Sequence, residues 1–104
     1  MAKKEGYRNY ELEANIVALI SNEKKDKGIA KDFTVNKAIE FFFKNRMIEG
    51  DKYKYSFDPN GRKSVYIYLK SENNTLLEKE SELTGEPFNR IVNESVKFYI
   101  KNIK

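Results

Sequence analysis

The chain has no cysteine, no histidine and no tryptophan, and only two prolines and five glycines in 104 residues. Without Cys there is no disulfide framework and no thiolate site; without His the commonest metal ligand and general base are missing. An enzyme would start without its usual groups, so no catalytic residue, metal or cofactor is expected. Long hydrophobic runs are lacking as well. Stretches such as Ile39 with Phe41-Phe42-Phe43 are far too short to cross a bilayer. The start, Met1-Ala-Lys-Lys-Glu-Gly6, carries no signal-peptide core, and a soluble, cytoplasmic protein is expected. The length suits one compact domain with a modest core, too small for an elaborate catalytic cleft.

What the sequence does have is basic charge, concentrated in one place. The whole chain carries a formal excess of +4, and residues 44–70 alone hold seven bases (Lys44, Arg46, Lys52, Lys54, Arg62, Lys63, Lys70) against three acids (Glu49, Asp51, Asp58). A localised positive field attracts a polyanion, with affinity that falls as salt rises. A solvated, lysine-rich surface gives the same count, so the reading turns on what this segment builds.

Residues 53–69 read as a β-hairpin. Two alternating runs flank Asp58-Pro59-Asn60-Gly61, in which Pro59 presets φ and Gly61 accepts the left-handed conformation that closes such a turn. Placing Phe57 opposite Lys63 gathers Tyr53, Tyr55, Phe57, Val65, Ile67 and Leu69 on one face. The other face then carries Lys52, Lys54, Ser56, Ser64, Tyr66 and Tyr68, with Asn60, Arg62 and Lys63 at the tip. Such a face combines phosphate-binding charge with groups that hydrogen-bond base edges.

Helical spacing surrounds the hairpin. Leu12, Ile16, Leu19 and Ile20 predict an amphipathic helix over residues 10–24, stopped at Gly28. Asp32 or Thr34 can cap a second helix with Val35, Ala38, Ile39 and Phe42 inward and Asn36, Lys37, Glu40 and Lys44 exposed. Three consecutive Phe residues point in three directions, so at least one must meet another element or a partner. Ser71 can cap a helix carrying Leu76, Leu77 and Leu83 up to Gly85, and Pro87 suits the first turn of a fourth. That last helix presents Phe88, Ile91, Val92, Ser95, Val96, Tyr99, Ile100 and Ile103. The stripe is broad enough to pack at home and still meet a second subunit, with Phe88, Val92, Val96, Tyr99, Ile100 and Ile103 as the dimerisation set. Glu78, Glu80 and Glu82 read as a solvated acidic face with no chemistry assigned.

Gly28-Ile-Ala-Lys-Asp-Phe-Thr-Val-Asn-Lys-Ala-Ile39, followed by Lys44-Asn-Arg-Met-Ile-Glu-Gly50 and the hairpin, resembles a winged helix-turn-helix protein. The resemblance implies an α+β fold ordered helix-helix-β-hairpin-helix-helix, with residues 1–104 a single DNA-binding domain. Within it, 7–70 would form the helix-turn-helix and wing, and 71–104 a dimerising helical pair. It further implies a recognition helix contributing Thr34, Asn36, Lys37 and Lys44, and a wing contributing Lys54, Asn60, Arg62, Lys63 and Tyr66, with Arg62 suited to a narrow AT-rich minor groove.

A second resemblance begins at Lys63. Lys-Ser-Val-Tyr-Ile-Tyr-Leu-Lys, then Leu76-Leu-Glu-Lys-Glu-Ser-Glu-Leu-Thr-Gly85, then Asn89-Arg-Ile-Val-Asn-Glu-Ser-Val96 looks like a ribbon-helix-helix repressor subunit. A shift of 57 positions aligns Leu12 with Leu69, Leu19 with Leu76, Gly28 with Gly85, Val35-Asn36 with Val92-Asn93, and Phe41, Lys44 and Asn45 with Phe98, Lys101 and Asn102, the pattern of a tandem repeat. This resemblance implies paired strands entering the major groove with Ser64, Tyr66 and Tyr68 as base readers. It also sets Glu11 against DNA, where a carboxylate is repelled by phosphate but can accept from cytosine. A five-residue connection closes at lower entropic cost than the joining of distant strands, so the winged order is the expectation. Either way the function expected is sequence-specific binding of double-stranded DNA by a homodimer, in transcriptional regulation or as an accessory factor in plasmid transfer, partition or copy control. A protein-interaction module is the alternative of another class.

Overall fold

A computed structural model describes residues 6–48, 50, 53–55 and 61–103, the side chain of Ile103 excepted. The fold is α+β: β1 (Tyr7–Glu13), α1 (Ala14–Lys27), α2 (Lys31–Asn45), β2 (Arg62–Tyr68), α3 (Ser71–Thr84) and α4 (Phe88–Ile103). Strand-helix-helix thus occurs twice, and the 57-residue correspondence is realised element by element. Gly28 and Gly85 close α1 and α3 at equivalent positions with φ of 71° and 77°, the left-handed region in which a missing Cβ removes the steric penalty.

The sheet overturns the hairpin. β2 pairs antiparallel with β1, with Tyr7 opposite Tyr68, Asn9 opposite Tyr66, Glu11 opposite Ser64 and Glu13 opposite Arg62. Backbone bonds from Leu69 N–H to the Gly6 carbonyl (3.1 Å) and from Ala14 N–H to the Gly61 carbonyl (3.0 Å) extend the ladder past both ends. Residues 53–55 form no strand, and the proposed turn residues Asp58, Pro59 and Asn60 lie outside the described residues. The helix placed over 10–24 likewise begins only at Ala14, because Tyr7–Glu13 is a strand. The inward set of β2 is as expected, with Ile67 and Leu69 buried, but its partner strand is not.

Magnitudes explain the change of partner. Lengthening the connection about tenfold raises closure entropy by only about 2 kcal/mol. Pairing with β1 buries Tyr10 and Leu12 beside Ile67 and Leu69, and each such side chain is worth about 1.5–3 kcal/mol. A two-stranded ribbon is marginal on its own; here its inner face rests on a core of Ile16 and Ile20 from α1, Val35, Ala38 and Ile39 from α2, Leu77 from α3, and Ile91, Val92 and Val96 from α4.

The helix α4 stripe packs on α2 of the same chain. Val92 and Val96 are fully buried inside this fold, so they are not the surface that the dimerisation reading required. Phe88, Tyr99 and Ile100 are half-buried against the same core. Of the three Phe residues, Phe41 meets Phe98 and Tyr99 of α4, Phe42 is buried against Phe98, Tyr53 and Tyr55, and Phe43 lies under Arg46.

Candidate nucleic-acid interface

In a strand successive side chains alternate between faces. With Tyr10, Leu12, Ile67 and Leu69 turned into the core, Tyr7, Asn9 and Glu11 of β1 and Ser64, Tyr66 and Tyr68 of β2 share the outer face. Asn9, Glu11, Ser64, Tyr66 and Tyr68 are exposed. The Tyr7 ring stacks on Tyr66 with centroids 5.2 Å apart and meets Tyr68 at the same distance. Arg62 and Lys63 are exposed at the start of β2, and the Arg8 guanidinium lies 5.2 Å over the Phe88 ring.

Both ribbon edges are held by helix side chains rather than left to other strands. On the β2 edge Tyr68 N–H donates to Asp32 Oδ1 (3.1 Å) and Lys70 N–H to Asn36 Oδ1 (2.9 Å). On the β1 edge Glu11 N–H donates to Asn89 Oδ1 (3.2 Å) and Glu13 N–H to Asn93 Oδ1 (2.8 Å). Each half's helix clasps the other half's strand. The clasps set the first turns of α2 and α4 on either side of the ribbon, satisfying edge N–H groups that would otherwise invite another chain.

This geometry reassigns several of the residues expected to touch DNA. Asn36 is buried, with Nδ2 donating to the carbonyls of Asp32 and Tyr68 and Oδ1 accepting from Lys70 N–H and Asn73 Nδ2. Its amide is saturated and cannot read a base. Thr34 is buried too, and its repeat equivalent is the core residue Ile91. Lys37 is exposed and lines a recess with Asp32, Phe33, Tyr68 and Lys70, at the ribbon edge. Lys44 is exposed but eight residues further along α2 than Asn36, about 12 Å from that edge along the helix axis. Lys54 is exposed in the connection between the halves, and Asn60 lies outside the described residues. Arg62, Lys63, Ser64 and Tyr66 come together on β2, and Tyr68 joins them. Tyr7 and Asn9, which are not among the expected contacts, share this outer face; the same alternation and the 57-residue shift, which pairs them with Ser64 and Tyr66, are the sequence signal for that placement.

The basic segment is also less free than its count implied. Arg46 is nearly buried, in a bidentate pair with Glu80 (2.6 and 3.0 Å) that also receives the Tyr55 hydroxyl (2.8 Å). Glu80 is thus no solvated acid. Burial alone would raise its carboxyl, but the Arg46 guanidinium and the Tyr55 hydroxyl outweigh it and hold the group below the usual carboxylate range. Burial, then Glu80, push the Tyr55 phenol up. Burial, then the Glu94 carboxylate that accepts its hydroxyl at 3.2 Å, push Tyr53 up to about 12. The two tyrosines assigned to a wing therefore tie the connection between the halves onto α3 and α4. Lys70 pairs with Glu40 at 3.7 Å, and Lys52 lies outside the described residues.

Comparison with protein-family models, with curated proteins and with solved structures gives no match. No helix among the described residues is long and apolar enough to cross a membrane.

Proposed function

We propose that this chain binds double-stranded DNA in a sequence-specific manner by laying the β1–β2 ribbon into the major groove, in the arrangement of a tandem ribbon-helix-helix protein. The observation that carries the reading is a two-stranded ribbon whose inner face buries Tyr10, Leu12, Ile67 and Leu69 in the core and whose outer face is largely exposed, polar and aromatic. Strands lie about 4.8 Å apart, so a two-stranded ribbon with its side chains fits a groove about 12 Å wide. Ser64, Tyr66, Asn9 and Glu11 supply donors and acceptors for base edges, while Arg62, Lys63 and Lys37 supply positive charge beside it. The first turns of α2 and α4 flank the ribbon and add backbone N–H groups suited to phosphate.

Because one chain contributes both strands, the groove-binding unit needs no second copy, and oligomers would serve only to join several such units. Transcriptional regulation, or an accessory role in plasmid transfer, partition or copy control, follows by analogy of architecture.

A salt titration of duplex binding tests the reading. Affinity for a selected duplex should fall steeply between about 50 and 200 mM salt if several cations neutralise phosphates. Absence of binding to any duplex at low ionic strength would reject it, and salt-indifferent binding to a protein ligand would favour an interaction module instead.

A further inference from the structure

The ribbon has two-fold backbone symmetry but no two-fold chemistry. The 57-residue shift exchanges Asn9 with Tyr66, the pair it maps onto itself, and exchanges the Tyr7–Tyr68 pair with the Glu11–Ser64 pair on either side of it. One end of the outer face is therefore aromatic, with Tyr7 against both Tyr66 and Tyr68, and the other end is a carboxylate beside a hydroxyl. Two copies of one strand would present identical groups at both ends and match a palindrome. This ribbon cannot.

Resting on the proposed DNA-binding reading, we infer that the target is a non-palindromic duplex read in one fixed orientation, with Glu11 selecting a cytosine at one end. Glu11 is exposed, and its carboxylate has no hydrogen-bond or ion-pair partner among the described residues. A carboxylate on a DNA-facing surface is repelled by phosphate, so it is tolerated where it accepts a hydrogen bond, and in the major groove the cytosine N4 amino group is the donor that identifies one base pair. Adenine N6 also donates, but the adjacent N7 acceptor repels a carboxylate, whereas an amide accommodates both. At the opposite end the clustered tyrosine rings present apolar surface to thymine methyl groups, with hydroxyls at their rim. A single polypeptide thereby marks direction along DNA without help from a partner.

Selection of bound duplexes from a random pool, run with the wild-type chain and with Glu11→Ala, tests this. The wild type should enrich a motif whose two halves differ, with a C·G pair favoured on the order of tenfold at one end. Glu11→Ala should lose that preference, keep the preference at the other end, and unfold at the same denaturant concentration as wild type. An inverted-repeat motif, or a cytosine preference that survives Glu11→Ala, overturns the inference while leaving DNA binding intact. No enrichment by the wild type overturns both.

Discussion

Asn36 and Asn93, which a shift of 57 positions superposes, hold opposite edges of the same ribbon: Asn36 accepts from Lys70 N–H at 2.9 Å and Asn93 from Glu13 N–H at 2.8 Å. A polar side chain buried at the same place in both halves is a structural fixture, since it joins each helix pair to the strand that the other half contributes. Truncating either to Ala should leave buried backbone groups without partners and lower stability by about 2–4 kcal/mol. Urea unfolding of Asn36→Ala and Asn93→Ala measures it. Weakened duplex binding by Asn36→Ala at unchanged stability would instead restore Asn36 as a base reader.

Arg46 and Glu80 form the buried ion pair of the described residues, 10% and 3% exposed at their side chains. Breaking such a pair leaves one uncompensated charge, so Arg46→Met alone should cost about 3–5 kcal/mol. The double variant Arg46→Met with Glu80→Gln should cost much less than the two single changes together. An additive result in a double-mutant cycle would show that the pair contributes little beyond packing on Phe42 and Phe43.

The same cluster sets the limits of pH stability. A carboxyl depressed on folding contributes stability that is present above its unfolded pKa and is lost as pH falls through its folded value, which assigns an acid limb to Glu80. Phenols raised on folding act in the opposite direction. Tyr53, pushed to about 12, and Tyr55 contribute stability that is complete below the ordinary tyrosine value of 10.0 and is lost as pH climbs beyond it. Melting temperature against pH should therefore fall on the alkaline side, and Tyr53→Phe with Tyr55→Phe should flatten that fall.

Arg62 and Lys63 are exposed where β2 begins. Replacing both by Ala should weaken binding to all duplexes alike, with the slope of log affinity against log salt reduced by about 0.9 for each phosphate left unneutralised. A sequence-dependent weakening with the salt slope intact would place them on base edges instead of the backbone.

The sequence made the helices and the internal repeat legible, while the first strand was hidden. Leu12, Ile16, Leu19 and Ile20 keep a helical spacing straight across the β1–α1 junction, and neither Gly nor Pro punctuates it. Leu12 serves both periods, so its strand neighbours read as a helix start. The inner face of β2 was correct because alternation fixes a face without fixing a partner. Polarity does not mean exposure in the site: Asn36 and Thr34 are buried and Arg46 is nearly so, each with its polar group occupied, and that burial is a product of tertiary packing. Their repeat equivalents, Asn93 and Ile91 for the first two, were the available warning.

The repeat also contains two ion pairs at equivalent positions with their charges exchanged. Glu13 meets Lys97 at 3.2 Å, and at the shifted positions Lys70 meets Glu40 at 3.7 Å. Pairing the first half with another first half would bring Glu13 to Glu40, and second with second would bring Lys70 to Lys97, so like charges oppose both wrong pairings. The two pairs should differ in energy, because the Glu13 side chain is 4% exposed whereas Lys70 and Glu40 are 56% and 43% exposed. Lys97→Ala, which leaves the buried carboxylate of Glu13 with Asn93 alone, should cost about 1–3 kcal/mol. Glu40→Ala, at a solvated pair, should cost under about 1 kcal/mol and less still in high salt. Lys97→Glu should destabilise further, and Glu13→Lys in the same chain should recover part of the loss. Equal effects of Lys97→Ala and Glu40→Ala in urea unfolding would show that burial does not separate the two pairs.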